Sequence, residues 1–243
     1  AASDVYKRQG LVFAVTEDLS LYGQYATSTE GVSNLLTLNP TQQQWDLSTA
    51  KQSEVGIKQM LPEGRGEWTL AAYHIVKKKL LSTDPANPTV QQQVGQQSSD
   101  GIEATLELRL PYDVQLSANA AWVRAEFDEF ASGSNDYSGN RPTNVPRRSA
   151  NLWLSKDFDQ RFTAGAGARY VDSRYADNAN TVEVAGYTVV DASFDWHVQS
   201  DLTLGLQLNN LFDRQYATTT SNNGQQWYLG EPRSFFVTAD YRF

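Results

Sequence analysis

Two arginines and four aromatic residues are the side chains best suited to binding a small ligand. Arg169 and Arg174 lie at the end of one alternating segment, where positive charge attracts an anion. The alternative for both arginines is a structural ion pair with acids such as Glu103, Glu107 or Asp195. The aromatic residues suited to stacking on a ligand ring are Trp45, Tyr137, Trp227 and Tyr228. Packing within the loops is the alternative for these four.

Two short basic runs are candidate phosphate contacts. Lys77, Lys78 and Lys79 follow one another near the predicted loop end of a strand, and lysine binds phosphate as a point charge. Arg147 and Arg148 form a similar pair at a second strand end. A solvated rim of charge is the alternative for both runs, and this composition is more typical of it.

The residue types that catalysis needs are scarce. The chain has no cysteine and two histidines, and it lacks Gly-x-Ser-x-Gly, His-Glu-x-x-His, P-loop and strand-linked Gly-x-Gly-x-x-Gly motifs. His197 shares a strand face with Asp195 and Asp191, so a catalytic pair is conceivable. Small barrel enzymes that use such pairs have fewer strands than this chain predicts. We therefore expect no enzyme activity, no cofactor and no resident metal.

The net charge and the hydropathy pattern exclude two further classes. A formal charge of −8 is unsuited to nucleic acid, whose phosphates require a basic surface. No run of about 18 apolar residues is present, so a membrane-spanning helix is not expected.

Strict two-residue alternation predicts that these side chains are carried by β-strands. In "GIEATLELRL" and "DLTLGLQLNN" every second residue is apolar and its neighbours are polar. The predicted strands are 19–28, 50–61, 67–81, 97–110, 113–127, 146–157, 161–175, 186–198, 201–215 and 233–243, with a partial strand at 10–16.

The connections alternate between short and long. Tight turns ("PEGRG", "PYD", "DQR", "QSD") alternate with polar loops at 29–49, 82–96, 128–145, 176–185 and 216–232. This asymmetry is typical of outer-membrane β-barrels, and segments of about ten residues suit tilted membrane-crossing strands. Aromatic residues near strand ends, including Trp68, Trp122 and Tyr170, suit girdles at the membrane interfaces. A soluble β-sandwich is the alternative fold.

The last segment indicates which face meets lipid. Phe235, Val237, Ala239, Tyr241 and Phe243 share one side of it, and mostly polar residues share the other. We expect the apolar side to face hydrocarbon and the polar side to face a water-filled lumen.

Three stretches resemble TonB-dependent outer-membrane receptors, in particular siderophore receptors. "NNLFDRQY" is similar to the penultimate-strand signature of the family, and "GEPRSFFVTADYRF" is similar to its last strand. "NVPRRSANLWLSKDF" resembles the start of a strand in siderophore-receptor barrels. The residues that match the signatures are Asn209, Leu211, Phe212, Asp213, Tyr216, Pro232, Arg233 and Phe243.

The resemblance implies an all-β fold, an antiparallel up-and-down transmembrane β-barrel. The family has 22 strands and an N-terminal plug, so about ten or eleven strands would form the C-terminal part of the barrel, without the plug and TonB box. The implied function is active uptake of ferric siderophores driven by TonB, with a passive porin or TonB-dependent uptake of a vitamin or sugar as alternatives. A soluble sugar-binding sandwich remains a third.

The resemblance also implies partners. These are a ferric siderophore, the TonB–ExbB–ExbD complex through the plug, the barrel assembly machinery, and outer-membrane lipid and lipopolysaccharide, with the basic runs as lipopolysaccharide contacts. The implied location is the outer membrane of a Gram-negative bacterium. The opening "AASDVYKRQ", residues 1–9, fits nothing after it and is expected to be a non-native tail, with residues 10–243 forming the barrel part.

Overall fold

The computed structural model describes residues 7–30, 46–84, 87–221 and 224–242. Eleven strands form one antiparallel sheet in meander order: β1 (Lys7–Ala14), β2 (Leu19–Glu30), β3 (Ser48–Leu61), β4 (Gly66–Asp84), β5 (Asn87–Leu110), β6 (Val114–Glu129), β9 (Arg148–Phe158), β10 (Phe162–Val171), β13 (Tyr187–Gln199), β14 (Leu202–Asn209) and β17 (Ser234–Tyr241). Three hairpins lie in the connections: β7 (Ala131–Ser132) with β8 (Asn135–Asp136), β11 (Arg174–Tyr175) with β12 (Glu183–Val184), and β15 (Ala217–Ser221) with β16 (Gln226–Leu229).

The sheet confirms the predicted all-β, antiparallel architecture of about eleven strands. Each strand of the large sheet pairs with its nearest sequence neighbours in that sheet, and β1 and β17 form its two edges without pairing with each other. The β-sandwich alternative is wrong, because the long strands form a single sheet and not two packed ones. In the described residues, one 3-10 turn (Pro62–Gly64) is present, and no helix is long and apolar enough to cross a membrane.

The register confirms that the sheet has one apolar face and one polar face. Leu206 of β14 lies opposite Val237 of β17, and the leucines two residues away on either side lie opposite Phe235 and Ala239. On the other face Asn119 lies opposite Asn151, whose Nδ2 donates to Asn119 Oδ1 at 2.8 Å. Side chains alternate strictly along a strand, so these pairs define an apolar face and a polar face across the sheet.

Aromatic residues form a band near each end of the apolar face. Near the short turns, the Phe162 ring packs against Phe194 at 5.6 Å and Trp196 at 6.4 Å between ring centroids. Near the loops, Trp122 and Tyr170 occupy the same face. This arrangement agrees with the predicted aromatic girdles.

Bulky rings on the polar face cover glycines of the neighbouring strand. A Cβ atom at Gly167 would lie 2.3 Å from the Trp153 ring and 2.5 Å from the Leu152 carbonyl oxygen. A Cβ atom at Gly56 would lie 2.4 Å from the Tyr22 ring in the same way. These glycines are required because the rings lie flat on the backbone, which explains "AGAGA" in β10.

The loop predicted at 82–96 is wrong over most of its length. β4 continues to Asp84 and β5 begins at Asn87, so this connection is a long hairpin with register shifts. Ser82 is buried there, where its hydroxyl donates to the Ala131 carbonyl at 3.0 Å. Strands are predicted from alternating apolar residues, and this stretch has no such alternation, so the sequence does not predict its strands.

Two predicted strands are too long, and one edge strand begins early. β10 ends at Val171, with 174–175 belonging to the β11–β12 hairpin, and β14 ends at Asn209 because Asn210 adopts a left-handed φ of 48°. β1 begins at Lys7, so 7–9 continue a strand that pairs with β2. Whether residues 1–9 are non-native stays a prediction.

Candidate functional site

Three long connections meet at one end of the sheet. We call them the first loop (residues 130–147), the second loop (172–186) and the third loop (210–233, of which 222–223 lie outside the described residues). The Asn144 side chain of the first loop donates to the Thr220 carbonyl at 2.8 Å and accepts from the Thr220 amide at 3.0 Å. The Asn180 side chain of the second loop makes a similar pair of hydrogen bonds to the Arg141 backbone: it accepts from the amide and donates to the carbonyl, both at 2.9 Å. These bonds join three of the five predicted loops at one end of the sheet. The loop predicted at 29–49 lies mostly outside the described residues.

Arg174 connects the second and third loops from the inside. Its side chain is 2% exposed, and Nη2 donates to the Ala217 carbonyl at 2.7 Å, beside a small apolar cluster that includes Val184. Burial lowers the pKa of the guanidinium, and nearby Tyr187 opposes that shift. Nη1 is buried without a hydrogen-bond partner among the described residues. Arg174 therefore joins loops, and its predicted role in ligand binding stays a prediction.

Arg169 is an exposed cation on the polar face. Its Nη2 lies 3.5 Å from the Tyr216 hydroxyl, and within the described residues the guanidinium forms no ion pair. The Tyr216 ring packs against Tyr187 with 4.3 Å between ring centroids. An exposed arginine beside two tyrosines is suited to an anionic ligand with a flat surface. No pattern in the sequence singles out Tyr187, since an aromatic residue at a strand start is also typical of a girdle.

The predicted loop aromatics differ in how far they are available to a ligand. Trp227 and Tyr228 of β16 are 47% and 52% exposed, and the Trp227 indole donates to the Gly224 carbonyl at 2.8 Å. Tyr137 is half-buried against Phe130, at 6.4 Å between ring centroids. Trp45 lies outside the described residues. Of the three that the structure describes, Trp227 and Tyr228 are the ones placed to meet a ligand from solution.

The residues of the "NNLFDRQY" signature form a turn beyond β14, where the sequence predicted a strand. Asn210 is 2% exposed and its side chain bonds to the Arg214 amide and carbonyl, at 2.8 and 2.9 Å, and to the Glu231 carbonyl at 2.9 Å. The Asp213 carboxylate accepts from the Arg233 amide at 3.0 Å. These bonds fasten the end of β14 to the start of β17.

The remaining signature residues support the same turn or lie at its surface. The Leu211 amide donates to the Val190 carbonyl at 2.8 Å, and the Tyr216 ring covers Gly230 so closely that a Cβ there would lie 2.0 Å away. Phe212 is exposed at the loop end of the sheet. Pro232 and Arg233 precede β17 directly, and Phe243 lies outside the described residues.

The three lysines differ in their surroundings. Lys77 faces the polar side and pairs with Glu30, while Lys79 Nζ lies 2.5 Å from Asp46 Oδ2. Lys78 is exposed on the apolar face. Lys78 is thus the lysine best placed to meet a membrane phosphate, and that contact stays a prediction.

No hydrogen bond joins His197 to Asp195 or to Asp191 among the described residues. The His197 ring nitrogens lie 3.1 Å from Thr203 Oγ1 and 3.2 Å from Thr163 Oγ1, whereas the Asp191 carboxylate accepts from the Asn210 amide at 2.8 Å. In the part of the chain that the structure describes, no group of three or more acidic or histidine side chains is placed to hold a metal ion.

Asp177 organises the tip of the second loop. Its buried carboxylate accepts from the Thr181 hydroxyl at 2.6 Å, the Thr181 amide at 3.0 Å and the Val182 amide at 2.8 Å. Burial by itself would raise the pKa of this carboxyl, but the three donors outweigh burial and hold the pKa below its usual range. The ionised form is therefore the one that stabilises the loop.

Replacing Asp177 with asparagine should loosen the loop only where Asp177 is ionised. Because the folded-state pKa is depressed, its stabilisation is present above the ordinary carboxyl pKa of about 3.9 and is lost as the pH falls below it. We expect the Thr181 and Val182 amides to exchange hydrogen about tenfold faster in Asp177→Asn than in the wild type at pH 7, since bonds to a charged acceptor are the stronger ones. The ratio should fall toward one only as the pH drops through the folded-state pKa of Asp177, which lies below that ordinary value. A ratio that stays constant over the whole pH range would contradict the role of the charge.

Comparisons with known proteins agree with this architecture. The family model described as "TonB dependent receptor-like, beta-barrel" matches residues 2–211. The metal-pseudopaline receptor CntO of Pseudomonas aeruginosa is 35% identical over 76% of the chain and 26% of its own length. The ferrichrome outer membrane transporter/phage receptor of Escherichia coli K12 is 33% identical over 81% of the chain and 27% of its own length.

A solved structure agrees equally well. The crystal structure of the siderophore receptor PiuA from Acinetobacter baumannii superposes with a TM-score of 0.86 at 28% identity, over 96% of this chain and 35% of that one. The chain thus spans about a quarter to a third of the length of the curated relatives it matches. The meander, the two-faced sheet and these matches together show that the chain belongs to the TonB-dependent receptor family and forms eleven strands of its β-barrel domain.

Proposed function

We propose that this chain is the C-terminal part of a receptor that takes up ferric siderophores across the outer membrane of a Gram-negative bacterium, driven by TonB. The observation that carries the proposal is the similarity to PiuA, a siderophore receptor, along nearly the whole chain. The apolar face lies in lipid and the polar face lines the lumen, where a plug outside this chain contacts the TonB–ExbB–ExbD complex. The barrel assembly machinery inserts the receptor, and lipopolysaccharide contacts Lys78.

The ligand approaches from the loop end, where Arg169 and the aromatic residues of β16 supply the recognition. The Arg169 guanidinium has no ion-pair partner among the described residues, so its charge is available to an anionic chelate. Trp227 and Tyr228 offer exposed rings to an aromatic chelator. These three residues are the proposed ligand contacts.

A second candidate is the uptake of a different metal–chelator complex. CntO, at 35% identity, is named as a receptor for metal-pseudopaline and not for a ferric compound. An arginine and exposed rings recognise the organic chelator and not the metal, so the described contacts are compatible with either cargo.

Replacing Arg169 with glutamine should weaken binding of an anionic ferric siderophore about tenfold, since a charge-assisted contact of about 1.4 kcal/mol is lost. The measurement is ligand titration by intrinsic fluorescence on the full-length receptor, with uncharged ferric siderophores beside anionic ones. Arg65→Gln, at the turn end, is the matched control and should leave affinity unchanged. Equal affinity in both variants would remove Arg169 from the site.

The transport proposal is tested in a strain without its own ferric-siderophore receptors, complemented with the full-length receptor. We expect uptake of a labelled ferric siderophore that stops when TonB is deleted. Uptake that persists without TonB would indicate the passive porin. Binding of a vitamin or sugar in place of any metal chelate would indicate the alternative ligand class.

A further inference from the structure

A cavity of about 360 Å³ lies between the loop end of β6 and the first and second loops. Three of its lining residues are arginines: Arg124, Arg141 and Arg147. Glu126 is the one carboxylate that lines it, so the lining carries three positive charges against one negative charge. Arginine-rich cavities of this kind attract anions, in a chain whose overall charge is −8.

The three guanidinium groups are incompletely neutralised. Arg124 Nη2 lies 3.2 Å from Glu126 Oε2, which accounts for one pair of charges. Arg141 lies over the Tyr175 ring at 5.0 Å and donates to the Ser173 carbonyl at 3.4 Å, so no carboxylate pairs with it among the described residues. Arg147 is exposed, and in the described part of the chain its side chain makes no hydrogen bond or ion pair. Burial and the charge of Arg147 lower the pKa of the Arg141 guanidinium, and this shift prevails although Tyr175, Asp172 and Glu183 oppose it.

The backbone around the cavity is fixed before any ligand binds. The Arg141 amide donates to Asn180 Oδ1, and Asn180 Nδ2 donates back to the Arg141 carbonyl. The Arg147 carbonyl accepts from the Val123 amide at 2.8 Å. The two loop arginines are therefore held at set positions, which lowers the entropic cost of binding.

The cavity lies just beyond the apolar surface. Arg124 and Glu126 share the apolar face of β6 with Trp122, and Arg124 lies two residues, or about 7 Å, further toward the loops. Tryptophan prefers the lipid–water interface, so Arg124 lies at the level of polar headgroups.

We propose that Arg124, Arg141 and Arg147 form a binding site for a phosphate monoester group, either free or carried by a membrane lipid. Guanidinium forks match phosphate oxygens in pairs, and a dianion balances the two uncompensated charges of the lining. The site is separate from Arg169 and does not depend on which chelate the receptor carries.

The first test measures the affinity for inorganic phosphate by isothermal titration calorimetry, with the full-length receptor in a neutral detergent at low salt. We expect saturable binding that weakens about tenfold in Arg147→Gln and again in the double variant with Arg124→Gln. The Arg147 side chain is exposed and makes no hydrogen bond or ion pair among the described residues, so Arg147→Gln should not change the stability of the fold. Arg65→Gln removes one positive charge at the opposite end and should bind phosphate as the wild type does.

The second test distinguishes the source of the phosphate. Native mass spectrometry would compare retention of phosphatidic acid with retention of phosphatidylcholine from mixed micelles. Retention of phosphatidic acid that is lost in Arg147→Gln would assign a lipid phosphate, whereas inorganic phosphate binding without lipid retention would assign a free anion. Equal phosphate affinity in Arg147→Gln and Arg65→Gln, with no selective lipid retention, would overturn the site.

Discussion

Replacing Leu206 with lysine is expected to destabilise the folded receptor in a bilayer by roughly 2–4 kcal/mol. Leu206 lies in the middle of β14 on the apolar face, between Phe194 of β13 and Val237 of β17. A lysine at this position would place its ammonium among hydrocarbon chains, where no water or counter-charge stabilises it.

The matched control is the adjacent Gln207→Lys. Gln207 is exposed on the polar face, where its amide donates to Asn209 Oδ1 at 2.9 Å, so a lysine there remains in water. Urea unfolding of the full-length receptor from phosphatidylcholine vesicles would measure both variants, and the control should cost less than about 1 kcal/mol. If the two variants lost equal stability, or Gln207→Lys lost more, the assignment of the two faces would be wrong.

Replacing Asn210 with alanine is expected to cost about 2–4 kcal/mol of unfolding free energy, because the buried Asn210 side chain makes three hydrogen bonds to backbone groups and all three are lost. The Asn210 side chain contacts the Arg214 amide, the Arg214 carbonyl and the Glu231 carbonyl. Its φ of 48° is a further cost for alanine, since asparagine adopts that region more readily.

Asn209→Ala supplies the comparison from the same dipeptide. Asn209 is half-buried; its side chain donates a long 3.5 Å bond to Ser234 Oγ and accepts one from the exposed Gln207 side-chain amide at 2.9 Å, and neither bond is to a backbone group. We expect a loss below about 1 kcal/mol for Asn209→Ala in the same urea titration. Asn210→Asp is a stricter variant, because it keeps the acceptor and replaces the donor that serves two carbonyls. A loss for Asn210→Ala no larger than that for Asn209→Ala would show that Asn210 does not fasten β14 to β17.

Arg169 and Arg174 illustrate a property that the sequence did not predict, namely how exposed each side chain is. Arg169 and Arg174 are five residues apart and the sequence predicts the same ligand contact for both, yet Arg169 is exposed on the polar face and Arg174 is buried between loops. Their surroundings differ because β10 ends at Val171 and the chain then enters the second loop. A residue's exposure after a strand end depends on loops that arrive from elsewhere, which local pattern does not encode.

The sequence by itself determined the meander, the strand number and the two faces of the sheet. Side chains alternate between the two faces of a strand with a period of two. The residue order of a segment such as Leu202–Asn209 is therefore enough to predict which side chains lie on the apolar face. The sequence did not reveal that β4 and β5 continue into 82–96, because the residue types there do not alternate between apolar and polar.

Only the tertiary structure decided how the loop end is organised. Arg124, Arg141 and Arg147 are separated by 17 and 6 residues in the sequence, and they line one cavity because the first loop folds back along β6. The bonds that hold this end, such as Asn144 to Thr220, join residues 76 positions apart. Such contacts join a backbone group to a single polar side chain. They produce no repeating pattern of residue types, so the sequence alone does not predict them.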